Sequence, residues 1–280
     1  MRELFDRLRR DNGRIFLSAM STDIHSLDML QAPDSPLRYS EWFVDGHPSR
    51  QYLAQEDVWR QWHEPEIADY QRYVYDHLDG AVSALYEYHC SLERVLPPEK
   101  IAYGGIPVDT RELQPVGLQV DGPVRLFLGR DRTRMLMKGS DLLEDAARIA
   151  LARHPGRAEL TLVENRPYAE FIQLLKGAHV VLDQIYSYTP ATTALMAMAY
   201  GLNTVSGGEP DFYRFIGETD NQPIINAPTE LEPLGGVLSD VVAHPEEIAE
   251  RGRRSRQFVE KHNACEVVAR RFLDFWTSKL

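Results

Sequence analysis

The segment Gly129 to Asp141 (GRDRTRMLMKGSD) concentrates cationic chemistry: Arg130, Arg132, Arg134 and Lys138 place four positive charges within nine residues. Guanidinium groups bind phosphate oxygens in pairs, and an ammonium adds a point charge, so such a loop suits a diphosphate. Gly139-Ser140-Asp141 then offers a helix start, with Ser140 or Asp141 as cap. A second segment, Asp183 to Gly201 (DQIYSYTPATTALMAMAYG), carries Thr189-Pro190, a helix-start signal. The free N–H groups of Ala191, Thr192 and Thr193 would face an anion through the helix dipole. Taken alone, these residues leave two readings open for each segment. The first is either a diphosphate site or a solvated basic loop; the second is either an anion-binding helix start or a buried core helix. Glu164-Asn165-Arg166 is either the lining of a base pocket or an exposed loop, and Glu209 either a ligand-side carboxylate or a turn residue before Pro210. No Asp-x-Asp motif or His/Asp cluster points to a bound metal.

These residues need elements to position them. From Val124 onward strands and helices alternate. Strands are expected over 124–128, 159–163, 179–182, 203–205 and 223–225. Helices are expected over 141–153, 168–176, 191–200, 230–243, 245–261 and 265–277. Such alternation implies a doubly wound parallel sheet, which binds ligands beyond the carboxyl ends of its strands. Both segments would then reach one cleft. Upstream, helix 3–10, the turn Asp11-Asn12-Gly13 and strand 14–19 open the chain as if in the middle of an α/β domain. Residues 26–66, with Trp42, Trp59 and Trp62, read as loops and short helices. Then come helix 69–78, strand 80–85, a turn or helix from Tyr86, and strand 100–103. The Pro- and Gly-rich stretch 107–123 reads as a linker. It divides a partial α/β domain, 1–120, from a nucleotide-binding domain, 121–280.

The chain has 280 residues, 43% of them hydrophobic, enough for a sizeable core. A net charge of -11 argues against a nucleic-acid partner. Two cysteines, Cys90 and Cys265, form neither a metal-ligand spacing nor a disulfide framework, and the expected compartment is cytoplasmic. No apolar run is long enough for a membrane span, and the charged N-terminus is unlike a signal peptide. Peripheral attachment to the inner membrane face stays compatible with this. No Gly-x-Gly-x-x-Gly follows an expected strand, which disfavours a dinucleotide-dependent enzyme.

The order Gly129-Arg130, Lys138-Gly139, Leu195 to Ala199, Gly201 and Gly207-Gly208-Glu209 resembles the donor domain of GT-B glycosyltransferases of family 4, in a bacterial branch. The resemblance covers residues 124–280, and extends to Ile106 to Asp109 (IPVD) and to the strand-loop RIFLSAMSTDIH. It implies a GT-B-like fold with a truncated N-terminal α/β domain and a Rossmann-type C-terminal domain. It implies a retaining, metal-independent hexosyl or glycosyltransferase that moves a sugar from a nucleoside-diphosphate sugar to a glycan or other hydroxyl acceptor. Cell-surface polysaccharide synthesis is the setting it suggests. No cofactor is needed beyond the donor substrate.

The resemblance also assigns roles. Arg130 and Lys138 would hold the donor diphosphate, helped by the N–H groups from Ala191 to Thr193 and by Thr189. Asp23 and His25 would face the sugar from the first domain as catalytic residues; read from the residues alone, Asp23 is equally a turn residue and His25 a surface histidine. Two glutamates eight positions apart are usual in the family; Tyr188 and Met196 stand there instead. Met196 cannot accept a ribose hydroxyl, so Asp183 and Glu209 are the carboxylates expected to substitute. Two readings follow: a working enzyme, or a degenerate nucleotide-sugar-binding subunit. With only about 120 residues before the donor domain, the chain reads as a fragment, a short form, or a protein whose N-terminal domain a partner chain completes.

Overall fold

A computed structural model describes residues 2–279. It divides into two compact units, Met1–Ile106 with Glu266–Leu280, and Pro107–Cys265. This differs from the expected division at 120/121 in two ways. The Pro-rich stretch belongs to the second unit, where main-chain bonds hold it: Val108 N–H donates to Asn263 O at 2.7 Å, and Val116 N–H to Tyr200 O at 3.0 Å. The Arg256 guanidinium also clasps it, donating to Thr110 O at 2.6 Å and to Leu113 O. The last helix, Cys265–Thr277, lies almost wholly in the first unit.

The larger unit is built on a parallel sheet of β6 (Val124–Arg130), β7 (Ala158–Glu164), β8 (Val180–Leu182), β9 (Asn203–Ser206) and β10 (Ile225–Asn226), in the order β10-β9-β8-β6-β7. Alternating residues of β6 explain the layers. Leu126 and Leu128 are buried in one cluster with Leu143, Ala147, Leu234 and Leu238, from helices Ser140–Arg153 and Leu231–Ala243. Phe127 points the other way, into a cluster with Ile172, Leu175 and Ala197, from helices Tyr168–Lys176 and Thr192–Ala199. Period-2 burial on both faces is what a sheet wound on both sides requires. The chain leaves β6 for β7, then crosses back to β8 on the other flank. The carboxyl ends of β6 and β8 therefore frame the topological switch point.

In the smaller unit β1 (Phe16–Ala19), β4 (Gly80–Ser83) and β5 (Ile101–Tyr103) form a parallel sheet in the order β1-β4-β5. Helices Arg2–Asp11, Pro65–Asp76 and Tyr86–Glu93 cover one face. The terminal helix covers the other. Gly80 and Gly104 permit that approach, since a Cβ would come within 2.7 Å of Phe275 and 2.3 Å of Phe272 respectively. The tryptophan-rich region makes a small aromatic core around Trp42, Phe43 and Trp59, beside the hairpin of β2 (Phe43–Val44) and β3 (His47–Pro48).

Candidate functional site

The carboxyl edge of the larger sheet carries polar residues in spatial order: Glu164 on β7, Arg130 on β6, Asp183 after β8, Ser206 on β9 and Asn226 on β10. Two of the four neighbouring pairs are bonded through their side chains. Arg130 is buried; it donates to Ser140 O at 3.0 Å, to Glu164 at 3.4 Å and to the Glu144 carboxylate. Arg132, on the surface, adds a 2.6 Å contact to Glu164. Hydrogen bonds from Arg132, reinforced by the charge of Arg130, hold the Glu164 carboxyl below its ordinary range. Bonds from Arg148 and then Arg130 do the same for Glu144. Arg130 Nε and Ser140 Oγ are buried without a partner.

Beside this network, Lys138 Nζ meets Asp183 Oδ1 at 2.8 Å; the Asp183 side chain is 1% exposed and its other oxygen accepts from Ser206 Oγ at 3.2 Å. Lys138 is half-buried and ends a short helix, Met135–Lys138. Gly139 then turns the chain with φ +66, and a Cβ there would meet the Ile185 side chain at 2.5 Å. Glycine is thus required both for the left-handed turn and for the close approach of the 183–190 loop. Ile185 N–H donates to Lys138 O at 3.0 Å, which locks the two loops together.

Two helices begin at this place. Ser140–Arg153 starts after Gly139 and Thr192–Ala199 after Ala191, and neither has a side-chain cap. The cap expected from Ser140 or Asp141 is therefore not made; both residues lie inside the helix. Helix amides left uncapped keep their N–H donors for an anion. Arg134 is exposed on the same loop. Thr192 is exposed, Ala191 and Thr193 are half-buried, and Thr189 is buried.

Glu209 lies further along the same edge. Its Oε1 accepts from Asn226 Nδ2 at 2.7 Å, while Asn226 Oδ1 takes the Gly208 N–H at 3.0 Å. Gly207 passes so close to Ser187 that a Cβ would lie 2.3 Å from the carbonyl oxygen. Tyr188 is buried, and Met196 Sδ is 3.6 Å from the Tyr168 hydroxyl. Asn165 adopts φ 51, and Arg166 pairs with Glu170 on the following helix at 3.4 Å.

The structure thus brings Arg130, Lys138, Asp183, Glu164 and the two helix starts to one edge. It reveals Glu144, Ser206 and Asn226 there as well, which sequence reading passed over. Glu144 had a signal, its i,i+4 spacing to Arg148; Ser206 and Asn226 had none.

In the smaller unit, Asp23 caps the helix Ile24–Gln31. Its Oδ1 accepts from Ser26 N–H at 2.8 Å, Ser26 Oγ accepts from Asp23 N–H at 2.8 Å, and its Oδ2 accepts from the Tyr75 hydroxyl. His25 stacks on Tyr75 with centroids 4.2 Å apart, and its buried Nε2 has no partner. Burial pushes its pKa below the ordinary histidine value. Among the described residues no group of three or more His, Cys, Asp or Glu side chains could hold a metal ion.

No family model matches the chain, and no curated protein matches it. Solved structures do. S. aureus TarM, in complex with fondaparinux, alpha-GlcNAc-glycerol and UDP, matches with a TM-score of 0.54 at 10% identity, over 75% of this chain and 46% of its own. Anabaena HepE in complex with UDP matches with a TM-score of 0.54 at 11% identity, over 72% and 65%. Sucrose-phosphate synthase of Thermosynechococcus elongatus matches with a TM-score of 0.54 at 16% identity, over 81% and 64%. The fold is that of the GT-B glycosyltransferases. The chain spans less than two thirds of the length of each of these relatives in fold.

Proposed function

We propose that the larger unit holds a nucleoside-diphosphate sugar and that the chain takes part in transfer of its sugar to an acceptor hydroxyl, metal-independently and with retention. One observation carries this reading. Lys138 and the uncapped starts of two helices converge at the switch point between β6 and β8. A departing nucleoside diphosphate gathers negative charge, and fixed cations and amide dipoles stabilise it as it leaves. Lys138 would exchange part of its bond to Asp183 for the phosphate, with Arg132 and Arg134 at the rim. Arg130 would act through position, holding the first turn of helix Ser140–Arg153 against Glu144 and Glu164. UDP in the TarM and HepE complexes supports a uridine nucleotide as the first ligand to test. Glu164, Asn165 and Arg166 are assigned to the base side. Thr189, Ala191, Thr192, Thr193, Tyr188 and Glu209 are assigned to the donor. Asp23 and His25 are assigned a catalytic role. A glycan acceptor, a cell-surface glycan product, a cytoplasmic setting at the inner membrane face and a partner chain belong to the same proposal. No helix among the described residues is long and apolar enough to cross a membrane.

Titration calorimetry with UDP, GDP and their sugars tests the reading. Binding of at least one is expected, and Lys138→Ala should weaken it roughly 10- to 100-fold, the worth of a charge-assisted hydrogen bond. Absence of binding by every nucleotide would sink it. A second reading, a nucleotide-sugar-binding subunit without turnover, draws on Tyr188 and Met196 in the places of the two glutamates. Binding without transfer or donor hydrolysis would select it. The anomeric configuration of any product, read by NMR, checks retention.

A further inference from the structure

Tyr168 opens helix Tyr168–Lys176 just beyond the carboxyl end of β7. It is 70% exposed, more than any other large apolar residue described in the larger unit. The ring is nonetheless held from two sides. Its hydroxyl lies 3.6 Å from Met196 Sδ, on the second turn of helix Thr192–Ala199. One turn further along its own helix, Phe171 packs edge-on against Phe127 of β6, with centroids 5.3 Å apart, which anchors the helix start to the sheet. Both helices cover the same face of the sheet, so Tyr168 and Met196 line the groove between them at its carboxyl edge. The carboxylates of the adjoining segments are spent. Glu164 accepts from Arg130 on one oxygen and from Arg132 on the other, Glu170 pairs with Arg166 at 3.4 Å, and Asp131 turns back on the Thr133 hydroxyl at 2.7 Å. Helix Thr192–Ala199 contains no acidic residue.

This groove bears on the substrate class of the site proposed above, and rests on that reading. With the diphosphate at Lys138 and the base beside Glu164 to Arg166, the nucleoside between them crosses the groove. We infer that Tyr168 stacks on the nucleobase and that no carboxylate reads the ribose 2′-hydroxyl, so that 2′-deoxynucleoside diphosphates, thymidine-type ones included, bind as readily as their ribonucleotide counterparts. An aromatic ring strengthens the hold on a base roughly 5- to 100-fold, whichever base it is, because every base has a π-face. The contact with Met196 keeps the ring in place before the ligand arrives, which lowers the ordering cost of binding. A site built to hydrogen-bond a hydroxyl rejects the analogue lacking it by orders of magnitude. A surface of ring and thioether does not, since the Met196 sulfur is a weak acceptor.

Titration calorimetry on the full chain, with UDP, 2′-deoxy-UDP and inorganic pyrophosphate, tests the inference. The two nucleotides are expected to bind within about threefold of each other, far from the discrimination of a hydroxyl-reading site. Y168A should weaken both roughly 5- to 100-fold and leave pyrophosphate binding unchanged. Y168F keeps the ring and should restore nucleotide binding. Far-UV circular dichroism checks that each variant is folded. A preference for UDP over 2′-deoxy-UDP of about tenfold or more overturns the inference while leaving the diphosphate site in place. So does an unchanged affinity for UDP in Y168A, or an equal loss of pyrophosphate, which would mark a structural effect in place of stacking. If neither UDP nor pyrophosphate binds the unaltered protein, the diphosphate site itself falls, and the stacking role with it.

Discussion

At the scale of single residues, the same side chain often serves two candidate tasks, and geometry ranks them. Asp23 uses one carboxylate oxygen to cap a helix and the other to take the Tyr75 hydroxyl. Asparagine caps a helix as well as aspartate does, whereas alanine does not. Asp23→Ala is therefore expected to cost about 1 kcal/mol in denaturant unfolding, and Asp23→Asn far less. If the Asn variant is stable but loses transfer activity, the carboxylate charge matters to the reaction; if it keeps activity, Asp23 is a cap alone. Arg130 shows the same division. Its two terminal nitrogens serve Glu144, Glu164 and the Ser140 carbonyl, so in the proposed anion site it would act by placing the helix start.

At the scale of elements, one clamp outside the candidate site contributes to acid sensitivity. The loop Gly217–Gln222 is tied to the end of helix Ile248–His262 through Glu218, whose side chain is 1% exposed. It accepts from Lys261 at 2.6 Å, from His262 Nε2 at 2.7 Å and from the amides of Asp220 and Asn221. Burial opposes its ionisation, but these donors prevail and bring its pKa down to about 2. A carboxylate with a folded pKa below its unfolded value adds stability that is fully present above the unfolded pKa, about 4.3. That stability is lost as pH falls from there through about 2. Thermal unfolding of the intact protein should therefore shift down across this window. Glu218→Gln, lacking the charge, should show a smaller shift there and a loss of about 1–3 kcal/mol at neutral pH. Equal acid shifts in both proteins would remove Glu218 as the cause.

At the scale of the whole molecule, chain order and spatial grouping part company at the C-terminus. The helix Cys265–Thr277 follows the second unit in sequence and packs on the first. Phe275 lies against Phe16, with centroids 5.9 Å apart, and over Gly80. Phe275 is half-buried, so Phe275→Ala is expected to destabilise the first unit by about 1–2 kcal/mol, less than a fully buried aromatic contributes. Hydrogen exchange should quicken in β1, β4 and β5 while β6 to β9 keep their protection. Uniform loss across both sheets would show instead that the two units unfold as one.

Much of this protein is legible from residue order. Strand and helix alternation from Val124 onward and the helices Tyr168–Lys176 and Cys265–Thr277 to the residue follow from local signals: hydrophobic period, proline, glycine and charge. Those signals act over a few residues, so they survive without tertiary contacts. The short helix Pro210–Phe215 and the turn from Arg132 to Lys138 escaped because each spans too few residues for a period to show. Long-range choices were beyond local reading. Lys138 pairs with Asp183 across 45 positions, Arg130 is bonded to Glu144 and Glu164, and Arg256 draws the Pro-rich stretch into the second unit. Charge pairing depends on which strand ends lie side by side, and the sheet order β10-β9-β8-β6-β7 sets that only once the chain has folded. Sequence alone determined that a cationic loop and a helix start would reach the same edge of a parallel sheet. Tertiary structure decided which cations are already neutralised by buried carboxylates, because that balance is made between residues distant in the chain.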